Sequence, residues 1–106
     1  MDAGSAMRLE DYRERAVIGA RAAIVALEKL GVSAVVTGSL ARGKFKAYSD
    51  VDILVTSCPR RLKYAIEGIV EDSLAGVPFD VIYLDELPAW KVGKFTEGAL
   101  DASELR

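Results

Sequence analysis

Three short apolar runs rich in β-branched residues place the strongest limit on how this chain can fold. They occupy residues 34–37, 51–55 and 79–84, and each is bounded by glycine, proline or polar residues. Runs of this length and composition predict strands that are buried in a sheet. Because the intervals around them are long enough for helices, we expect strands and helices to be combined in one fold.

Helical patterns precede, separate and follow these runs. Residues 8–30 place apolar side chains at three- and four-residue steps, which predicts a long amphipathic helix. Pro59 suits the first turn of a second helix that ends at Gly76, and Asp85 suits the N-cap of a last helix. The predicted core faces are Leu9, Tyr12, Ala16, Ala20, Ala23, Leu27 and Leu30 in the first helix, widened by Val17 and Ile24, and Leu62, Ile66, Ile69 and Leu74 in the second.

The order helix, strand, strand, helix, strand, helix predicts a single domain over residues 1–106, with residues 1–7 flexible. We expect the α/β (α+β) class, with a small mixed β-sheet of three to four strands and helices packed mainly on one face. A chain of this size can build one core, but it has little length left for a second lobe. An acceptor molecule is therefore expected to come from outside the chain.

The composition removes several classes of function. The chain has no histidine and a single cysteine, Cys58, which excludes hydrolase triads that depend on imidazole and zinc sites made of His or Cys clusters. The formal net charge of −2 argues against tight binding to bulk nucleic acid. No apolar run is long enough to span a membrane and no signal-peptide pattern is present, so we expect a cytoplasmic location. Carboxylates remain as the obvious catalytic groups.

A Gly-Ser turn follows the first predicted strand. Gly38 lets the backbone turn sharply and expose its N–H groups, and Ser39 adds a hydroxyl at the start of a single helical turn. Such a nest of donors suits phosphate oxygens. Arg42 and Lys44, followed by Lys46, add positive charge nearby. We predict a phosphate-binding turn, with an ordinary strand-to-loop turn as the alternative if the glycine and serine are considered alone.

Three aspartates accompany this turn. Asp50 and Asp52 are two residues apart, so on a strand both would leave the same face, about 7 Å apart. Asp80 interrupts the apolar third run, where a charge is costly unless it faces a site. If the two strands are neighbours, the carboxylates form an all-oxygen site suited to Mg²⁺ or Mn²⁺. Beside a phosphate-binding turn, this arrangement favours two-metal phosphoryl or nucleotidyl transfer.

The combined motif resembles the signature of the DNA polymerase β-like nucleotidyltransferase superfamily. Its elements are Gly-Ser, ten further residues, Asp-x-Asp, and a third Asp on a later strand. The fuller strings at residues 38–43 and 49–55 are similar to the smallest prokaryotic members, the minimal nucleotidyltransferases (MNT). The likeness extends from the first helix to Asp80 and therefore covers most of the chain.

This resemblance implies roles for the matching residues. Gly38 and Ser39 would hold the triphosphate of ATP. Asp50 and Asp52 would ligate two Mg²⁺ ions, with Mn²⁺ as a substitute, and Asp80 would ligate the catalytic ion and help to deprotonate the attacking hydroxyl. The family's arginine in the turn matches position 42, where it either pairs with a carboxylate or contacts phosphate.

The resemblance also implies a partner. Minimal nucleotidyltransferases commonly accompany a helical HEPN-type protein in toxin–antitoxin pairs and add AMP to a tyrosine of the toxin. We therefore expect transfer of AMP from ATP to a hydroxyl on such a partner, and a homo-oligomer is compatible with this role. Two alternatives stay open. One is a catalytically weak, antitoxin-like subunit that binds nucleotide and acts by contact, and the other is transfer to RNA or to a small molecule.

Several single residues allow more than one interpretation. Residues 38–44 match the opening of a P-loop, but Phe45 stands where that loop needs Ser or Thr. Tyr48 is either a packing residue or a base-stacking surface. The apolar side chains near the end are expected to close the core, with a partner surface as the alternative; they are Trp90, Val92 and Phe95.

Overall fold

The computed structural model describes residues 8–106, and its packing is organised around the long N-terminal helix. The flexibility expected for residues 1–7 concerns residues outside this range. Helix α1 spans Leu9–Glu28 and confirms the first helical prediction. Two predicted core positions are wrong, because Leu9 and Leu30 are 45% and 46% exposed at or beyond the helix ends. The side chains and glycine that α1 buries are Ala16, Val17, Gly19, Ala20, Ala23, Ile24 and Leu27.

The sheet has three strands, β1 at Ser33–Thr37, β2 at Val51–Ser57 and β3 at Phe79–Tyr83, in the order β1-β2-β3. Strand β2 pairs antiparallel with β1 and parallel with β3. The free edge of β1 is bridged by mutual backbone hydrogen bonds between Val36 and Leu100, at 2.8 and 2.9 Å. The predicted small mixed sheet is therefore confirmed.

The second long helix begins later than predicted. Pro59 precedes a single 3-10 turn at Arg60–Leu62, and the α-helix itself spans Lys63–Leu74. We number this helix α3, because the single turn after β1, Gly38–Ala41, is α2. The backbone turns out of α3 through Ala75 in the left-handed region. Pro59 is the N-cap of this 3-10 turn, so the proline starts the turn and not the α-helix.

Helix α4 spans Ala89–Thr96, and the prediction that Asp85 caps it is wrong. Pro88 occupies the N-cap position, where its φ of −64 is already set for entry into a helix. Asp85 belongs to a separate 3-10 turn at Leu84–Glu86. Its carboxylate forms an ion pair of 3.2 Å with Lys63 at the start of α3.

The two faces of the sheet differ in what covers them. Helices α1 and α3 pack with one another and with the strand residues Val36 and Ile53, which form part of one continuous core. The opposite face carries Thr37 and Leu54, both buried, and α4 approaches it through a hydrogen bond of 2.7 Å from the Thr37 hydroxyl to the Phe95 carbonyl. The expectation of helices mainly on one face is confirmed, with α4 on the other. Within residues 8–106, no helix is long and apolar enough to cross a bilayer.

Candidate active site

The connection that leaves β1 begins with a tight turn. Gly38 has φ +75, a left-handed value that residues with a β-carbon rarely adopt. Backbone hydrogen bonds close the turn, from the Arg42 N–H to the Gly38 carbonyl (3.1 Å) and from the Lys44 N–H to the Ser39 carbonyl (2.8 Å). The first N–H groups of a helical turn have no partner within it, so the backbone here offers hydrogen-bond donors.

Asp52 lies directly against this turn. It is the second residue of β2, it is half-buried, and its Cα pairs with that of Thr37 at the end of β1. A β-carbon built on Gly38 would overlap the Oδ2 atom of Asp52 and would stand 3.1 Å from its Cγ. Glycine at position 38 therefore serves both the backbone of the turn and the space that the Asp52 carboxylate needs.

Asp80 is the register partner of Asp52. The parallel pairing of β2 with β3 places the two Cα atoms opposite one another. Partners at the same register of neighbouring strands lie about 4.8 Å apart, and their side chains leave the same face of the sheet. The predicted neighbourhood of these two aspartates is therefore present in the sheet, on the face opposite α1 and α3.

Asp50 does not lie on the strand, in contrast to the expectation from sequence. Strand β2 begins at Val51, whose N–H donates to the Pro78 carbonyl at 2.9 Å. The preceding segment is a turn, in which the Ser49 hydroxyl accepts a hydrogen bond of 2.8 Å from the Lys46 N–H. Asp50 is exposed between this turn and the strand. It is still close enough to Asp52 for the two carboxylates to repel one another.

Negative charge accumulates around Asp52. The pKa of its carboxyl is raised above the ordinary value of 3.8, first because partial burial disfavours the charged form and then because of the charges of Asp80 and Asp50. Within the described part of the chain, none of the three carboxylates forms a hydrogen bond or ion pair. A cation bound among them would relieve the repulsion without breaking an existing protein contact.

The three aspartates do not form a closed set of ligands. Among residues 8–106, no group of three or more His, Cys, Asp or Glu side chains is arranged so that it could hold a metal ion. The donor chemistry nevertheless suits a hard divalent cation, since all the groups are carboxylates. Asp50 and Asp80 are exposed, so their side chains are not fixed by packing. The structure thus brings the carboxylates to one region without arranging them as a finished metal site.

Two cationic side chains share a small cavity with the turn. The cavity has a volume of about 190 Å³ and places Arg42 and Lys94 beside Gly38 and Asp52; Thr37 and Phe95 complete its lining. Arg42 makes no ion pair within residues 8–106, so of its two expected roles the pairing with a carboxylate is absent there. Both cations are exposed and stand where an anion that contacts the turn would meet them.

Lys94 was not among the residues singled out in the sequence. It belongs to α4, far along the chain from the turn, and the hydrogen bond from the Thr37 hydroxyl to the Phe95 carbonyl holds this helix beside the site. The sequence offered one weak signal, a lysine within a short amphipathic segment. Lys44, which was predicted, is exposed and is not part of the cavity lining.

The exposed aromatic side chains resolve two of the open interpretations. Tyr48 is 88% exposed, so it is not a packing residue. Trp90 is 76% exposed, so the expectation that it closes the core is wrong, whereas Val92 and Phe95 are half-buried. Phe45 is the residue of this loop that packs, and its ring stacks on that of Tyr12 with the centroids 5.4 Å apart.

Comparison with known proteins identifies the family to which the chain is similar. Residues 19–100 match the family model described as a nucleotidyltransferase domain. The matched region begins within α1, includes the Gly-Ser turn and all three aspartates, and ends at the residue that bridges β1. No curated protein and no solved structure gives a significant match.

Proposed function

The chain belongs to the nucleotidyltransferase domain family, and on this premise we propose that it transfers AMP from ATP to a hydroxyl on a partner protein. The observation that carries the proposal is the position of Asp52, which lies between the Gly38 turn and its register partner Asp80. A phosphate-binding backbone beside paired carboxylates is the arrangement that phosphoryl transfer requires, because catalysis of this kind depends on positioning and charge.

We assign the metal-binding role to the three aspartates. Asp50 and Asp52 would ligate two Mg²⁺ ions, and Asp80 would contribute to the site of the catalytic ion. The support is their all-oxygen chemistry, the register pairing of Asp52 with Asp80, and the raised pKa of Asp52, which follows first from partial burial and then from the charges of Asp80 and Asp50. When bound, such ions neutralise phosphate charge and make a hydroxyl more acidic. Asp80 is exposed and would help to deprotonate the attacking hydroxyl.

We assign the triphosphate to the turn and its cations. The N–H groups of Gly38 and Ser39 would donate to phosphate oxygens, and Arg42 would neutralise the phosphate charge. Lys94 joins this group because it lines the same cavity. Lys44 would act only from the rim, since it is exposed and outside that lining.

The acceptor is proposed to be a tyrosine of a helical, HEPN-type toxin, which makes this chain the antitoxin of a toxin–antitoxin pair. This part of the proposal follows from the resemblance to minimal nucleotidyltransferases at residues 38–43 and 49–55. Exposed aromatic side chains near the site support a protein acceptor, since aromatic residues are enriched in protein interfaces. Tyr48 precedes Asp50 by two residues, and Trp90 lies on the same helix as Lys94. We place the reaction in the cytoplasm.

Titration calorimetry tests nucleotide and metal binding separately from transfer. The wild-type chain should bind ATP with Mg²⁺ or Mn²⁺ present and should lose this binding in EDTA. Asp52→Asn and Asp80→Asn should each weaken the metal-dependent binding at least tenfold, whereas Asp85→Asn, outside the site, should leave it unchanged. Equal binding in EDTA, or equal effects of all three substitutions, would contradict the assignment.

Transfer is tested with ATP labelled at the α-phosphate. The helical protein encoded beside this chain, if present, should become labelled on a tyrosine in the presence of Mg²⁺ and remain unlabelled with Asp52→Asn. Parallel reactions with RNA and with aminoglycosides examine the other acceptor classes. If RNA or an aminoglycoside becomes labelled and the protein does not, the proposed protein acceptor is wrong, whereas the assignment as a nucleotidyltransferase stands.

A second function is favoured by one observation. Because the carboxylates of residues 8–106 are not arranged as a finished metal site, the chain is also suited to binding nucleotide with little turnover and neutralising a partner by contact. The double variant Asp50→Ala, Asp52→Ala separates the two functions. Neutralisation of the toxin in cells by this variant supports contact alone, and loss of neutralisation with retained binding of the partner supports catalysis.

A further inference from the structure

The outer face of α1 exposes apolar side chains that no element of the described chain covers. Ile18 is 58% exposed and Val25 is 40% exposed, although both belong to the most extensively packed helix of the fold. They border an open groove of about 740 Å³ whose lining is predominantly apolar and reaches Ile69 of α3. An exposed apolar groove of this kind typically marks an interaction surface.

Charge is distributed along this face with opposite signs at its two ends. Glu14 precedes Ile18 by about one turn, and Lys29 follows Val25 by about one turn. At 100° per residue, all four positions fall within about 60° of the helix circumference. Within residues 8–106, neither the Glu14 nor the Lys29 side chain forms an ion pair or hydrogen bond. These four residues form a stripe along α1 that is acidic at its N-terminal end, apolar in the middle and basic at its C-terminal end. The stripe consists of Glu14, Ile18, Val25 and Lys29.

We propose that this stripe is the interface of a two-fold homodimer, in which α1 packs antiparallel against α1 of a second copy. The pattern is self-complementary, because the midpoint between Glu14 and Lys29 coincides with the midpoint between Ile18 and Val25. An axis at that point places Ile18 against Val25 of the partner subunit and Glu14 against Lys29 of the partner subunit. A two-fold axis forms each of these contacts twice, which is the defining property of an isologous interface.

The residues at the axis are compatible with close approach. Ala22 presents only a methyl group, so it does not hold the two helices apart. Arg21 would otherwise bring like charges together, but its guanidinium donates to the carbonyl groups of Ala102 and Leu105. Its charge is therefore drawn toward the C-terminal segment and away from the axis.

The proposed interface lies on the opposite side of the sheet from the candidate active site. Helix α1 packs on the Ile53 side of β2, whereas Asp52 leaves the other face. A dimer formed through α1 leaves both copies of the site open to nucleotide and to an acceptor. The inference does not depend on the proposed function and holds whether or not the chain is an active transferase.

A charge-swap experiment tests both the surface and the register of the pairing. The full chain is examined by sedimentation velocity over a range of concentrations at low salt. The wild-type chain should show a concentration-dependent dimer. Glu14→Lys and Lys29→Glu should each weaken it about tenfold, because each places like charges in two symmetric pairs. The double variant Glu14→Lys, Lys29→Glu should restore dimerisation, and Glu71→Lys, an exposed charge reversal on α3, should leave it unchanged.

An apolar variant provides an independent measurement. Ile18→Ser should weaken the dimer at least tenfold without altering the far-ultraviolet circular dichroism, because the side chain is exposed in the monomer. Tyr64→Ser removes another exposed apolar side chain, 87% exposed on α3, and should have no effect. A wild-type chain that stays monomeric throughout overturns the proposal. If the double charge swap fails to restore the dimer, the proposed register of the two α1 helices is wrong. If Ile18→Ser leaves the dimer unchanged, the α1 stripe is not the interface.

Discussion

The carboxylate of Asp52 occupies the space in which a β-carbon of residue 38 would stand. Gly38 directly follows β1 and Asp52 lies near the start of β2, so the pairing of these two strands brings the backbone turn proposed to bind phosphate beside the carboxylate proposed to bind metal. The contact explains why this turn requires glycine for more than its left-handed φ. It also means that the two halves of the proposed chemistry depend on each other sterically.

Replacing Gly38 by alanine should damage the site beyond the cost of backbone strain. Gly43 offers a matched control, because its φ of +73 is close to the +75 of Gly38 while nothing lies within 4 Å of a β-carbon there. Both variants should lose about 1–2 kcal/mol of unfolding free energy in urea titrations. Only Gly38→Ala should also weaken Mg²⁺-dependent ATP binding at least tenfold by calorimetry. Equal binding by the two variants would show that displacement of Asp52 does not matter.

The pH dependence of stability should report the crowded charge of Asp52. Because burial and the neighbouring aspartates raise its pKa above 3.8, the folded chain holds this proton more tightly than the unfolded chain does. In metal-free buffer, the contribution of Asp52 to the free energy of unfolding is therefore greatest below about pH 4 and falls as the pH rises through the pKa of Asp52 in the folded chain. Asp52→Asn should remove that fall and be more stable than the wild-type chain at neutral pH.

Thermal unfolding followed from acid to neutral pH measures this effect. Asp72→Asn, an exposed position on α3, serves as the control and should retain the wild-type profile. Addition of Mg²⁺ at neutral pH should stabilise the wild-type chain and have little effect on Asp52→Asn. A wild-type profile unchanged by Asp52→Asn would remove the electrostatic argument for a cation site.

Lys94 should contribute to binding of the triphosphate although it is distant from the motif in sequence. Lys94→Gln removes a cation from the cavity that it shares with Arg42 and Asp52. We expect ATP affinity to fall about tenfold, because a hydrogen bond from the Lys94 ammonium to a phosphate oxygen contributes about 1–2 kcal/mol. AMP affinity should change less, because AMP lacks the β- and γ-phosphates. Lys91→Gln, on the same helix but outside the cavity lining, should leave both affinities unchanged. An equal loss with both variants would indicate a general charge effect of α4.

The contact between α1 and α3 should make Gly19 intolerant of a larger residue. A β-carbon at Gly19 would lie 2.8 Å from Cδ2 of Leu74 and 3.0 Å from the carbonyl oxygen of Ser73. Gly19→Ala should therefore destabilise the fold by about 1–3 kcal/mol, even though alanine favours a helix. Gly68→Ala on α3 has open space around it and should stabilise by about 0.5–1 kcal/mol. Urea unfolding of both variants makes the comparison.

Local patterns in the sequence were sufficient to locate α1, the three strands and the Gly-Ser turn. Each of these depends on neighbouring residues, either through a repeat of polarity or through the special backbone freedom of glycine. The same patterns were insufficient at element boundaries. They predict Asp50 on β2 and Asp85 at the N-cap of α4, but the hydrogen bond from the Val51 N–H and the fixed φ of Pro88 decide where those elements begin.

The sequence by itself determined the glycine turn and the carboxylates of the candidate site, since Gly38 and the aspartates at positions 50, 52 and 80 are recognisable from their spacing. Only the tertiary structure decided how those groups meet. The parallel pairing of β2 with β3 sets Asp80 beside Asp52, and the packing of α4 brings Lys94 to the cavity. The physical reason is that strand register and helix placement depend on contacts between residues far apart in the chain, which no local pattern records.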